Sequence, residues 1–138
     1  MTTQELSSLQ KIIDLAFSEQ SDLSQPEVKG AIEKTISLLN EGSLRVCSNE
    51  SGAWVTHEWV KKAILLYFKT QKTETIELGP FEFCDKIPLK KGFEKKKIRA
   101  VPHAIVRYGA FVNKNVILMP SYVNIGAYID SGTMIDTW

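Results

Sequence analysis

From Ile105 to the end of the chain, every sixth residue is apolar: Ile105, Phe111, Ile117, Val123, Ile129 and Ile135. A helix would set its apolar residues three and four apart, and a half-buried strand would set them two apart. Neither repeats every six over thirty residues. Four residues after each of the first five stand Gly109, Asn115, Ser121, Ala127 and Thr133, all small or fairly small. The residue directly after the apolar one becomes Asp130 and Asp136 in the last two repeats. A six-residue period with a column of small residues is the pattern of a parallel β-helix, in which three short strands and three turns make one triangular coil. The pattern predicts that the Ile105-to-Ile135 column points into the prism. Each member stacks on its equivalent eighteen residues later, and the small residues turn the corners. The competing arrangement, strands of an ordinary sandwich with chance spacing, leaves the small-residue column unexplained.

Upstream, the periodicity changes. Residues 3–20 carry Leu6, Leu9, Ile13, Ala16 and Phe17 at helical spacing, and residues 26–41 carry Val28, Ile32, Ile36 and Leu39. Pro26 suits a first helical turn and Gly42 suits the position just past a last one. The two segments read as helices packed antiparallel. "LRVC" and "AWVT" flank "SNESG" and read as a hairpin. Thr56 can then cap a helix over 57–69, with Glu58 beside its positive end. The apolar residues of that helix nearly encircle it, which predicts deep burial. Residues 73–92 read as irregular, with one strand at "TIEL" and turns at "GP" and "IP". A short strand at "KIRAV" leads into the first coil. The expected organisation is an α/β N-terminal domain over 1–102, then the first coils of a β-helix over 103–138. Fewer than two coils are present where stacked repeats need about three neighbours. The expectation is therefore an incomplete prism with an open end.

The net charge of +1 gives no global preference for nucleic acid or membrane. The longest apolar run, "AILLYF", is too short to span a bilayer. The N-terminal stretch lacks a basic segment followed by an apolar one, so it does not read as a secretory signal. Cys47 and Cys84 belong to no metal-spaced cluster and read as reduced, partly buried thiols. A Walker-type phosphate loop is absent. Residues 86–99, "KIPLKKGFEKKKIR", hold seven basic residues and one acidic one. This segment reads first as a solvated loop, and otherwise as an attractor of anionic partners.

Three stretches, "WVTHEWVKKAILLYF", "IRAVPHAIVRYGAF" and "LMPSYVNIGAYIDSGTMIDTW", together resemble the N-terminal half of the tetrahydrodipicolinate N-succinyltransferase family. The last is the most specific. The resemblance implies a left-handed prism, a homotrimer with sites between neighbouring subunits, and a cytoplasmic place in lysine and diaminopimelate biosynthesis. It implies succinyl transfer from succinyl-CoA, a co-substrate rather than a bound cofactor, to the amine of a tetrahydrodipicolinate-derived acceptor. Two residues carry over by motif. Arg99 in "IRAVP" matches an arginine that binds an acceptor carboxylate, and a planar guanidinium can hold a carboxylate through two parallel hydrogen bonds. Asp136 in "MIDTW" matches an aspartate that contacts the acceptor amine, which attacks only when deprotonated. Without the motif match, Asp136 reads as a turn residue of the repeat and Arg99 as a surface charge. The family's second catalytic carboxylate and most of its CoA-binding coils correspond to positions after residue 138. The expectation is that this chain alone is inactive.

His57 and His103 read as structural residues outside the coils, which offers no histidine base and no zinc site of the kind some prisms carry. Tyr122, Tyr128 and Trp138 lie off the inward column. They suit either a subunit contact or packing against the N-terminal part. Two other functions stay open: a non-catalytic binding or assembly module, and a transferase using another acyl donor.

Overall fold

The computed structural model describes residues 2–19 and 21–138. Three helices form the first part of the molecule, α1 (Thr3–Ser18), α2 (Pro26–Glu41) and α3 (Glu58–Thr70), with a β-hairpin between the second and third. Gln20, the last residue of the helix expected over 3–20, lies outside the described residues. A capping box starts α1: the Glu5 amide donates to Thr2 Oγ1, and the Thr2 amide donates to the Glu5 carboxylate. Pro26 occupies the first turn of α2, and Gly42 ends that helix at a left-handed φ of 77°. The three helices pack on one another around Ile13, Ile32, Ile36, Val60 and Ala63, none of which is measurably exposed. Thr56 does not cap α3. The cap residue is His57, without a side-chain bond, because Thr56 is held in a strand opposite Cys47.

Two antiparallel hairpins leave this helical body. In the first, β1 (Cys47–Glu50) pairs with β2 (Ala53–Thr56). Its turn residues Ser51 and Gly52 both have positive φ, 54° and 90°. That two-residue turn matches the twist of the strands, and it moves β1 three residues beyond the expected "LRVC". In the second, β3 (Glu74–Leu78) pairs with β4 (Phe81–Asp85) across Gly79 and Pro80. Residues expected to be mostly irregular are therefore a five-pair hairpin. Cys47 and Cys84 are free thiols, both exposed rather than partly buried.

The remaining strands are two residues long and parallel. They are β5 (Arg99–Ala100), β6 (Ile105–Val106), β7 (Phe111–Val112), β8 (Ile117–Leu118), β9 (Tyr122–Val123), β10 (Tyr128–Ile129) and β11 (Met134–Ile135). They stack as three separate sheets, β6–β9, β7–β10 and β5–β8–β11. Three short parallel sheets fed in rotation are the start of a β-helix. The inward column is Val106, Val112, Leu118, Val123 and Ile129, with Ala100 and Ile135 packed on it. A second inward column, two residues earlier on each strand, includes Ile98, Ala110, Val116 and Ser121.

This corrects the sequence reading at three residues. Ile105, Phe111 and Ile117 are half-buried on the outer side, and their successors point inward. The phase shifts between Leu118 and Val123, a step of five residues, at the corner holding Met119, Pro120 and Ser121. Consequently Ile105 pairs with Tyr122, Phe111 with Tyr128 and Ile117 with Met134, so these coils repeat every seventeen residues. Only the step from Arg99 to Ile117 keeps the eighteen expected. The left-handed corner residues follow the same rule, with Gly109 and Asn115 answered by Gly126 and Gly132.

The top of the prism is covered. Residues 88–90 run antiparallel along β6, with the Lys90 amide donating to the Val106 carbonyl at 2.7 Å and the Tyr108 amide to the Pro88 carbonyl at 2.8 Å. The end of α2 sits on β7, where Gly42 meets the Phe111 ring. Asn40 joins the two parts: its side-chain oxygen accepts from Lys90 Nζ and from the Gly109 amide. Lys90 also donates to the Asn40 carbonyl at 3.3 Å, satisfying a group left over at the helix end.

Candidate functional site

Arg99 and Asp136 belong to one face of the prism. Arg99 is on β5, Ile117 on β8 and Met134 on β11, aligned by the ladder Arg99–Ile117–Met134. Ala100, Leu118 and Ile135 point inward from the same strands, so alternation sends Arg99, Ile117 and Met134 outward. Asp136 follows Ile135 and also points outward, beside Met119 of the coil above. Two strand spacings and two residue rises separate Arg99 from Asp136, roughly 12 Å between Cα atoms. Met134 and half-buried Ile117 and Met119 lie between them and make an apolar floor. The sequence reading missed this floor. The seventeen-residue offset between Ile117 and Met134 would have placed it.

Both charged groups are exposed, and neither has an ion-pair partner among the described residues. The backbone of Arg99 is fixed, since its amide donates to the Val116 carbonyl at 3.0 Å. Asp136 Oδ1 accepts from the Thr137 amide at 2.8 Å. Asn113, Asn124 and Asp130 make the same bond to their next residues, so Asp136 is also a member of a turn column.

What separates Asp136 from that column is its neighbour one coil up. Arg107 Nη1 donates to Asn124 Oδ1 at 3.3 Å, and Asn113 Nδ2 donates to Asp130 Oδ1 at 2.9 Å. Asn113, then the Ser131 amide, holds the Asp130 carboxyl below its ordinary value. Met119 offers Asp136 no such donor. Asp136 is exposed, and among the described residues its carboxylate accepts only the Thr137 amide, which leaves it open to a cation or an amine.

The same end of this face carries an aromatic pair. His103 and Trp138 hold equivalent positions after β5 and β11, with ring centroids 5.6 Å apart. His103 therefore lies inside the first coil, between β5 and β6, contrary to the sequence reading. His57 is elsewhere, between β2 and α3 as the cap residue of that helix, and its Nε2 meets Ser48 Oγ at 2.6 Å. Tyr128 is stacked on Phe111 and lies under the Arg45 guanidinium, so it packs against the helical body. Tyr122 is 48% exposed. An open groove of about 820 Å³ lies against α1 and α2, away from Arg99 and Asp136.

Short parallel strands in five- and six-residue steps, capped by helices, make the start of a β-helix, with an outward arginine and aspartate on one face. The family model described as tetrahydrodipicolinate N-succinyltransferase N-terminal matches residues 8–70. The 2,3,4,5-tetrahydropyridine-2,6-dicarboxylate N-succinyltransferase of Rhodopseudomonas palustris is 46% identical over 145 residues, covering 96% of this chain and 52% of that protein. Those of Sodalis glossinidius and Bartonella bacilliformis are each 43% identical, over 96% and 97% of this chain and 52% of their own lengths. The chain is thus a homologue of tetrahydrodipicolinate N-succinyltransferase, corresponding to the N-terminal half of such proteins. It spans about half the length of the curated relatives it matches.

Proposed function

We propose that residues 1–138 supply the acceptor side of an N-succinyltransferase site. The observation that carries this reading is the shared prism face: a guanidinium on β5 and a carboxylate directly after β11, both exposed and without an ion-pair partner among the described residues, across an apolar floor. Arg99 holds a carboxylate of the tetrahydrodipicolinate-derived acceptor. The floor of Ile117, Met119 and Met134 takes its methylene chain. Asp136 accepts a hydrogen bond from the acceptor amine and orients its lone pair.

The donor is succinyl-CoA, and the reaction needs no covalent enzyme intermediate, because a thioester is already activated. The amine nitrogen bonds to the thioester carbonyl carbon and gives up a proton, towards Asp136 or through it to water. The carbon–sulfur bond breaks, and CoA leaves as a thiolate that takes up a proton. The relatives are about twice as long, so the proposal assigns donor binding to the half of the enzyme not represented in residues 1–138. This chain alone then does not turn over. The same homology supports a left-handed prism, a homotrimer and a cytoplasmic enzyme of lysine and diaminopimelate biosynthesis, and the proposal keeps a division near residue 102, with β5 ahead of it already paired in the prism.

Asp136→Asn, made in the protein at its natural length, is the test. Asparagine keeps the turn bond to Thr137, as Asn113 and Asn124 show, and removes only the charge. The expected result is a kcat lower by at least about tenfold with unchanged thermal stability. A rate near wild type would return Asp136 to the turn column and remove it from the mechanism.

A further inference from the structure

The chain enters β5, β8 and β11 through one corner of the prism. Lys97, Asn115 and Gly132 hold that corner with left-handed φ of 54°, 59° and 73°. The Asn115 amide donates to the Lys97 carbonyl at 2.9 Å, and the Gly132 amide to the Lys114 carbonyl at 3.4 Å. The turn ahead of Lys97 is fixed as well. The Lys96 and Ile98 amides donate to the Phe93 carbonyl at 3.1 and 3.0 Å, and the Lys97 amide donates to the Glu94 carbonyl at 2.9 Å. The lysines of this segment therefore stand on a hydrogen-bonded turn built onto the prism.

Lys95, Lys96, Lys97 and Lys114 are exposed and have no ion-pair partner among the described residues. Lys97 comes two residues before Arg99, and Lys114 three before Ile117, the residue paired with Arg99. Strand geometry puts their Cα atoms within roughly 12 Å of that of Arg99. Two acids lie nearby, Glu94 in the turn and Asp130 at the corner, and Asp130 is already bound by Asn113. The opposite end of the face is different. Residues 115–138 contain no lysine or arginine, and Asp136 is the charge there. The whole chain carries only +1, so this gradient is a local property of the face.

We propose that the basic corner concentrates the acceptor at the Arg99 end of the face and orients it as it arrives. This inference rests on the acceptor reading given above and adds residues that never touch the reacting atoms. A dicarboxylate with an amine at one end is itself polar along its length. A field positive at the corner and negative at Asp136 draws a carboxylate towards Arg99 and leaves the amine towards Asp136. A patch of one sign beside a site raises the local concentration of an oppositely charged ligand, and a double charge feels it twice. At about 10 Å such a field is strong at 0.01 M salt, where the screening length is about 30 Å. It is weak at 1 M, where that length is about 3 Å.

Steady-state kinetics of the protein at its natural length, at about 0.01 M and about 0.5 M salt, tests this. Lys95→Glu with Lys114→Glu should lower kcat/KM for the acceptor about tenfold at low salt, through KM, with kcat nearly unchanged. At high salt the loss should shrink to about twofold or less. Glu94→Lys should raise the same constant by about two- to threefold at low salt, a gain that damage to the fold does not produce. Lys11→Glu with Lys61→Glu, an equal charge change on α1 and α3, should leave it within about twofold of wild type. A loss that salt does not relieve, an equal loss in kcat/KM for succinyl-CoA, or an equal loss from the pair on the helices would overturn the proposal. Arg99→Ala separates the two claims. An acceptor KM that rises in Arg99→Ala but ignores the lysine variants would overturn the basic corner alone. One that ignores Arg99→Ala would remove the acceptor reading, and this inference with it.

Discussion

Lys90 shows how one residue ties the two parts of the chain together. Its side chain is 7% exposed and donates to Asn40, which also accepts from the Gly109 amide in the prism. Burial, with Lys96 adding repulsion, pushes the Lys90 ammonium down from an ordinary 10.5 to about 8. A lowered amine pKa means that the unfolded chain binds the proton more tightly than the folded one. Stability therefore rises with pH between about 8 and 10.5, by up to roughly 3 kcal/mol from this group. Chemical denaturation across that window should show the rise in the wild type and its loss in Lys90→Met. Parallel curves for the two proteins would mean that Lys90 is hydrated and charged throughout. None of this was legible in "LKKGF", where Lys90 and Lys91 are indistinguishable. Only the antiparallel run along β6 turns the first inward.

At the scale of elements, α2 was legible to the residue because two local signals bracket it, Pro26 and Gly42. The coils were legible as a period but not in phase. Each of the first three prism strands after β5 is an apolar pair, Ile105–Val106, Phe111–Val112 and Ile117–Leu118. Hydrophobicity cannot say which member of such a pair points inward. The left-handed positions could have, since Gly109 and Gly126 stand seventeen apart, as do Asn115 and Gly132. Half of the second hairpin was legible, the strand at "TIEL" and the turn at "GP"; its partner strand β4 was not, although "FEF" carries the same alternation. The junction of α2 with the prism is tight at Gly42, where an added Cβ would lie 2.6 Å from the Phe111 ring. Gly42→Ala combines left-handed strain with overpacking and should cost about 2 to 4 kcal/mol by denaturant unfolding. A cost below about 1 kcal/mol would mean that the helix end lifts off β7 without penalty.

At the scale of the molecule, the helices and the 88–90 segment form a cap from which the prism grows. The first coils then present an outward arginine and an outward aspartate at fixed spacing. The identities of Arg99 and Asp136 came from motif resemblance, and their placement on one face came from the register. The residues alone did not distinguish Asp136 from the turn residue Asp130. The contrast appears only when Met119 is seen to occupy the place that Asn113 takes beside Asp130. The central claim is that this face binds the acceptor rather than the donor. Steady-state kinetics of Arg99→Ala, in the protein at its natural length, tests it most directly. The account predicts an apparent KM for the acceptor raised at least about tenfold, with the KM for succinyl-CoA nearly unchanged, as expected for a lost charged hydrogen-bond pair. Equal rises in both constants, or a rise confined to succinyl-CoA, would contradict it.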